Sequence, residues 1–299
     1  MTSRVAFIGL GNMGGGMAAN LVKGGVEVAA FDLSQAALAE AVAAGCVAAN
    51  GVSGAVQGAG AVVTMLPAGP QVREVVEGEV MANAAPGTLI IDCSTTDVDT
   101  PRHLAAVAAG RGFVFADAPV SGGIMAANAG TLAFMVGCAD ADYERIAAVL
   151  KPMSKAVFHA GGPGAGQAAK ICNNMVLGVS MLGLCEAFAL AEKLGLAPER
   201  FYEIAAQSSA QCWSLTTYCP WPGPVPAAPS NGGYDGGFLT RLMLKDLKLA
   251  QEAAARSGAT TPLGAQAEAM FALFERLGYG AKDFSGVLQL LRGRLDELR

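Results

Sequence analysis

The chain has 299 residues, enough for one large domain or two ordinary ones, and it is 53% hydrophobic but only 15% charged. A formal net charge of −5 and a pI near 5.1 argue against a nucleic-acid or anionic-membrane partner. Seven cysteines without CxxC or CxxH spacing, and only two histidines, His103 and His159, give no reason to expect a metal and fit reduced thiols in a cytoplasmic protein.

Met1-Thr2-Ser3-Arg4 leads directly into Arg4-Val5-Ala6-Phe7-Ile8, a short apolar run expected to be a strand buried on both faces. Gly9-Leu10-Gly11-Asn12-Met13-Gly14 follows, then a helical pattern through Lys23, a stop at Gly24-Gly25, and a second strand from Val26 to Phe31 ending in Asp32. A GxGxxG alone is a weak signal in a glycine-rich chain. Here it lies between strand and helix with an acidic residue at the next strand end, the context that marks a dinucleotide site. Gly9 permits the tight turn, Gly11 lets a pyrophosphate approach the backbone, and Gly14 lets the helix pack against the strand. The helix N-terminus, through Asn12, Met13 and Gly14, offers N–H groups to phosphate. Asp32 would accept hydrogen bonds from the adenosine ribose and repel a 2′-phosphate, and Leu33-Ser34-Gln35 supplies no arginine, so the expected cofactor is NAD, not NADP.

The uncharged stretch from Ala41 to Val72 is too interrupted by glycine, polar residues and Pro67 to be a membrane span. Strands are expected at 61–66, ended by Pro67, then at 88–92, followed by Ser94-Thr95, and at 113–118 and 132–136, with helices between. This alternation predicts a doubly wound, mostly parallel Rossmann-type sheet with ligands at the carboxyl ends of its strands, where Leu66, Pro67 and Thr95 lie. Thr96-Asp97 and Thr100-Pro101 carry helix-start signals. In the strand-end loop Asp117-Ala118-Pro119-Val120-Ser121-Gly122-Gly123, the N–H groups of Ser121, Gly122 and Gly123 suit either an ordinary glycine turn or a nest for a small anion.

After Gly161-Gly162-Pro163-Gly164 the strand signals stop. The expected domains are therefore 1–162, Rossmann-type and NAD-binding, and 163–299, all-helical, joined by a long helix from about Gly164 to Leu194. Lys170 is a lone cation at the head of that apolar helix, and Asn174 lies one turn on along the same face. Taken alone, Lys170 reads as a lysine snorkelling from a core helix to water. Cys219 to Gly233 holds five prolines and Trp221 without a charge, which predicts a structured loop packed on a neighbouring surface. Lys245 and Asp246, after the apolar Leu242-Met243-Leu244, read locally as a solvated pair.

Together, Phe7 to Gly14, Asp117 to Gly123, Gly130-Thr131-Leu132, Gly166 to Met175, Trp213 to Gly223, Gly236-Gly237-Phe238 and Leu242 to Leu247 resemble the β-hydroxyacid dehydrogenase family, especially its hydroxyisobutyrate branch, over nearly the whole chain. The resemblance implies that Lys170 is the catalytic acid/base and that Asn174 orients it and the substrate. It implies that Ser121, Gly122 and Gly123 hold the substrate carboxylate. It further implies that Leu66, Pro67, Thr95 and Phe238 join the glycine loop around NAD, and that Lys245 contacts both cofactor and substrate. The implied reaction is oxidation of 3-hydroxyisobutyrate to methylmalonate semialdehyde by a homodimer or homotetramer. Oxidation of L-serine, reduction of a small semialdehyde with NADPH and a non-catalytic dinucleotide sensor are the competing readings. Free lysine titrates near about 10.4, so Lys170 would need surroundings that favour its neutral form, and oxidation should be fastest at alkaline pH. Gly16, Ala126, Cys138, Ala210-Gln211-Cys212 and Cys219 depart from the family pattern; the last two groups lie near the loop expected to shape the pocket.

Overall fold

The computed structural model describes residues 4–298, which fall into two compact units, one ending at Lys170 and the other beginning at Ile171. The first unit alternates strands and helices: β1 (Arg4–Ile8), α1 (Gly14–Lys23), β2 (Glu27–Phe31), α2 (Gln35–Ala43), β3 (Val47–Ala48), α3 (Val52–Val56) and β4 (Ala61–Thr64). It continues with α4 (Gly69–Arg73), which widens into a π-helical stretch over Glu74–Val80, then α5 (Met81–Asn83), β5 (Leu89–Asp92), α6 (Asp99–Gly110) and β6 (Val114–Asp117). β7 (Val120–Ser121), α7 (Gly123–Ala129), β8 (Leu132–Gly137), α8 (Tyr143–Leu150) and β9 (Ser154–Gly161) complete it.

The nine strands form one sheet in the order β3-β2-β1-β4-β5-β6-β8-β7, with β9 paired to β8. β3 to β6 are parallel throughout; β8 turns antiparallel against β6 and β7. Because successive side chains point to opposite faces, each central strand feeds two apolar layers. Val5, Phe7, Val63 and Ile91 belong to one layer; Ala6, Ile8, Val62 and Ile90 belong to the other. This double burial explains why the central strands read as continuous apolar runs. β9 escapes such a reading. Ser-Lys-Ala-Val-Phe-His-Ala-Gly has no clean alternation, and the strand lies half-exposed beside β8, so its pairing rests on backbone hydrogen bonds that no side-chain pattern advertises.

Asp117, at the end of β6, is fully buried, and its two oxygens accept the backbone N–H groups of Gly164 (2.7 Å) and Gln167 (2.8 Å) at the start of the helix that follows β9. Two glycines make room for it: a Cβ on Gly137 or on Gly166 would overlap its carboxylate. Burial raises the Asp117 pKa to about 6, outweighing the two N–H donors that pull it down. The unfolded carboxyl ionises near about 3.9, so across that window the native chain holds a proton that the unfolded chain has lost. Asp117 therefore contributes stability below pH ~4 that is lost as pH rises through its folded value, about 3 kcal/mol in all. Urea unfolding of wild type and Asp117→Asn at pH 4 and pH 7 checks this. The stability difference between the two should move against wild type by about that amount on going to pH 7; a pH-independent difference would contradict it.

The second unit is helical, as expected. α9 (Ala165–Lys193) starts in the first unit and continues into the second, followed by α10 (Pro198–Ala206), α11 (Trp213–Thr216), α12 (Thr240–Ser257), α13 (Pro262–Phe274) and α14 (Val287–Arg292). Among the described residues α9 is the one helix long and apolar enough to cross a membrane. Part of that apolar surface is spent on packing: Met181, Cys185 and Phe188 are fully buried in a core with Phe271, Phe274 and Phe284. At Gly178, where an added Cβ would lie 3.1 Å from Leu247, α9 and α12 approach closely.

The proline-rich segment is a structured loop, and it packs on its own unit. Trp221 stacks on Phe188 at 5.8 Å between ring centroids, and the Arg292 guanidinium lies 4.3 Å from the indole centroid. Arg292 is bound in turn by both oxygens of Glu192, at 2.8 and 3.0 Å. Ser230 donates to the Cys219 carbonyl and Tyr234 to the Pro220 carbonyl, each at 2.8 Å, which satisfies backbone that proline prevents from pairing otherwise.

Candidate active site

Apart from Lys170 on α9, the site residues expected in the first unit lie at the carboxyl ends of strands, in the loops that follow them or at the helix start after β1. The switch in strand order falls between β1 and β4, which pair directly with Ile8 opposite Thr64. The glycine loop after β1 and the Met65-Leu66-Pro67 turn after β4 are therefore neighbours. Gly9 takes φ 93°, a conformation open to glycine, and a Cβ there would overlap the Met65 carbonyl. A Cβ on Gly14 would overlap the Gly9 carbonyl, so both ends of the turn require glycine. No atom lies within 4 Å of a Cβ built on Gly11, which leaves its backbone open to a ligand. Asn12 is exposed, Met13 half-buried and N-terminal to α1, and no acidic side chain sits in that helix's first turn. The turn therefore presents a positive dipole end without a competing carboxylate.

Asp32, half-buried at the end of β2, accepts the Leu10 N–H (2.6 Å) through one oxygen and the Ser34 N–H (2.7 Å) through the other. It thus ties the glycine loop to the β2 end while each oxygen keeps a second lone pair for a diol. The loop, the helix end and this carboxylate together suit a dinucleotide. Leu66 is held by its N–H on Ser94 Oγ (2.8 Å), and Ser94 Oγ in turn donates to Asp92 (2.5 Å), which also accepts Thr64 Oγ1 (2.7 Å). Thr95 is half-buried next to this network and Pro67 is exposed. Downstream, Asp97 accepts the Thr100 N–H at 2.8 Å, the helix-start interaction expected ahead of α6.

Ser121 ends β7, and Gly122 (φ 132°) and Gly123 (φ 69°) both occupy backbone space that favours glycine. Ser121 is half-buried and the two glycines exposed, so this turn is accessible to a small ligand. Lys170, at the end of the unit, is only 8% exposed; it is buried and does not snorkel. It stands one turn after Gln167, whose backbone N–H is bound by Asp117.

In the second unit, Asn174 is 2% exposed and donates through Nδ2 to Asp246 Oδ2 at 2.5 Å. Its Oδ1 accepts from Asn173 Nδ2 at 2.9 Å. Asp246 is therefore not half of a solvated pair: it is buried at 5% exposure and fixes which way the Asn174 amide faces, while its neighbour Lys245 is half-buried. The sequence carries no signal for this contact, because α9 and α12 are far apart along the chain. Phe238 is half-buried, and its N–H is held by Asp283 (2.7 Å) and Tyr218 (3.0 Å). Gly237 before it (φ 63°) leaves no room for a Cβ, which would overlap both of those oxygens. Burial raises the Asp283 pKa against the pull of the Ser285 and Tyr218 hydrogen bonds.

Comparison with known proteins supplies an independent line. Residues 4–162 match the NAD-binding domain of 6-phosphogluconate dehydrogenase, and residues 164–291 match the domain described as NAD-binding of NADP-dependent 3-hydroxyisobutyrate dehydrogenase. The chain is 47% identical to a 3-hydroxyisobutyrate dehydrogenase of Pseudomonas aeruginosa over 97% of its own length and 99% of the relative's. It is 46% identical to an NAD-dependent L-serine dehydrogenase of the same organism, over 96% and 97%. The solved structure of a 3-hydroxyisobutyrate dehydrogenase of Mycobacterium tuberculosis with L-serine superposes with a TM-score of 0.94 at 46% identity, covering 98% of this chain and all of that one.

Proposed function

Since the chain belongs to the 3-hydroxyisobutyrate dehydrogenase family, we propose that it oxidises 3-hydroxyisobutyrate to methylmalonate semialdehyde with NAD, using Lys170 as general acid/base. The observation that carries this reading is the burial of Lys170 one turn beyond a helix start bound to the ends of the sheet strands. The amine accepts the proton in its neutral form. NAD, when bound, supplies the hydride acceptor. Lys170 takes the hydroxyl proton of the substrate, and Asn174, oriented by Asp246, holds the alcohol and the amine in register. Ser121, Gly122 and Gly123 receive the carboxylate on backbone N–H groups and one hydroxyl. Asp32 accepts the ribose diol and selects NAD, with the glycine loop, Leu66, Pro67, Thr95 and Phe238 around the rest of the dinucleotide. Lys245 completes the site as a second cation. The enzyme acts as a cytoplasmic homodimer or homotetramer; exposed Val176 and Leu190 along α9 support self-association.

L-serine oxidation is the second reading, favoured by the near-equal identity to the Pseudomonas L-serine dehydrogenase. Both substrates offer a carboxylate and a primary alcohol; they differ by a methyl against an ammonium at the carbon between. Steady-state kinetics on both enantiomers of 3-hydroxyisobutyrate and on L-serine, each with NAD and NADP, decide. The expected result is kcat/KM at least about tenfold higher for 3-hydroxyisobutyrate with NAD than for L-serine, the discrimination that one apolar group at a fitted pocket gives. A higher value for L-serine makes the second reading the correct one.

A further inference from the structure

Gln167 is fully buried in the first turn of α9, and no functional reading of the sequence involves it. Its carboxamide closes on the backbone at two points. Oε1 accepts the Thr96 N–H at 3.0 Å, and Nε2 donates to the Ser94 carbonyl at 2.8 Å. These two groups flank Thr95, so the amide brackets that residue much as a neighbouring strand would. Only this orientation of the amide satisfies both contacts, since the reverse would set N–H against N–H and oxygen against oxygen. A carboxylate in its place would lack the donor, and an apolar side chain would leave both backbone groups unpaired.

The bracket is itself anchored. Ser94 receives the Leu66 N–H on its hydroxyl and donates a hydrogen bond from that hydroxyl to Asp92, so Leu66, Ser94 and Gln167 form one continuous chain of polar contacts. From the opposite side, Asp117 holds the backbone N–H of the same Gln167. Three residues further, on the same face of the helix, stands Lys170. A displacement of the first turn therefore moves the amine relative to Thr95.

We infer that Gln167 is a positioning residue, whose amide fixes the separation between the cofactor-contacting backbone at Thr95 and the amine of Lys170. The inference rests on the proposed roles of Lys170 and Thr95. The mechanism needs a proton and a hydride to leave one substrate in the same step, and a misplacement of about 1 Å lowers such a rate by about 100-fold. Asp117 holds the backbone of the helix end, while the Gln167 side chain ties that end to the turn after β5.

The test compares wild type, Gln167→Met, Gln167→Glu and Lys170→Ala as full-length enzymes, with 3-hydroxyisobutyrate and NAD. Gln167→Met, of similar volume but without either hydrogen bond, is expected to bind NAD within about threefold of wild type. Its kcat should fall by about 100-fold, with a larger primary deuterium isotope effect for substrate labelled at the carbinol carbon. Gln167→Glu keeps the acceptor and loses the donor until it is protonated. The ratio of its kcat to that of wild type should therefore rise as pH falls, which a merely structural role would not predict at constant cofactor affinity. A Gln167→Met enzyme with normal kcat and isotope effect overturns the inference. So does loss of folding or NAD binding in proportion to loss of rate in both Gln167 variants. An active Lys170→Ala enzyme overturns the proposed role of Lys170 instead, whatever the Gln167 variants do.

Discussion

Lys170→Ala should lower kcat/KM for alcohol oxidation by about 10²–10⁴-fold, the range that a positioned general base supplies. NAD affinity should stay close to wild type, because none of the groups placed around the dinucleotide is on this side chain. Lys170→Arg should fare no better, since guanidinium has no neutral form in a protein and cannot accept the proton. Steady-state rates together with a fluorescence titration of NADH separate the two effects. A tenfold loss or less with intact cofactor binding would remove Lys170 from the mechanism. Lys170 is 8% exposed within an otherwise uncharged run of helix, where leucine or methionine would pack at least as well.

Asp32→Ser should reverse or erase the preference between the two nicotinamide dinucleotides, changing the ratio of kcat/KM for NAD over NADP by about 100-fold, or about 2.7 kcal/mol. Two losses add. The ribose hydroxyls lose a charged acceptor, and a 2′-phosphate no longer meets a carboxylate of like charge. Because Asp32 also receives the Leu10 N–H, the glycine loop should loosen too and NAD should bind more weakly in absolute terms. Parallel assays with both cofactors on wild type and variant read this directly. A wild-type enzyme that already prefers NADP would sink the assignment.

What the sequence discloses follows from the range of the forces involved. The glycine fingerprint is legible because steric demands act within a few residues: Gly9 and Gly14 leave no space for a side chain at a turn that the strand and helix patterns already locate. Lys170 and Asn174 are legible as a pair because one helix turn carries both. Asp246 and Gln167 are not. Each is an ordinary helical residue until a partner distant in sequence, Asn174 for one and the Ser94–Thr96 backbone for the other, arrives beside it. Asp117 is an intermediate case. Its position at a strand end is plain from the pattern, but its service to the start of α9 depends on where that helix lands. β9 is hidden for a different reason, since backbone pairing at a half-exposed edge leaves no mark on side-chain periodicity.

The direct pairing of β1 with β4 has a consequence for how the chain acquires its form. Val5 lies opposite Ala61 and Ile8 opposite Thr64, with β2 and β3 excluded from between them. Such a pairing must close a long loop before any contact repays the lost chain entropy, which makes it slow compared with the formation of the helices around it. Until it forms, the glycine loop and the Leu66 turn are strangers, and neither has the other as a wall. During synthesis, a nascent chain released only as far as β3 therefore holds a complete fingerprint motif and no place to keep a nucleotide. The cradle is not assembled piecemeal along the chain; it comes into being in the same event that sets the strand order.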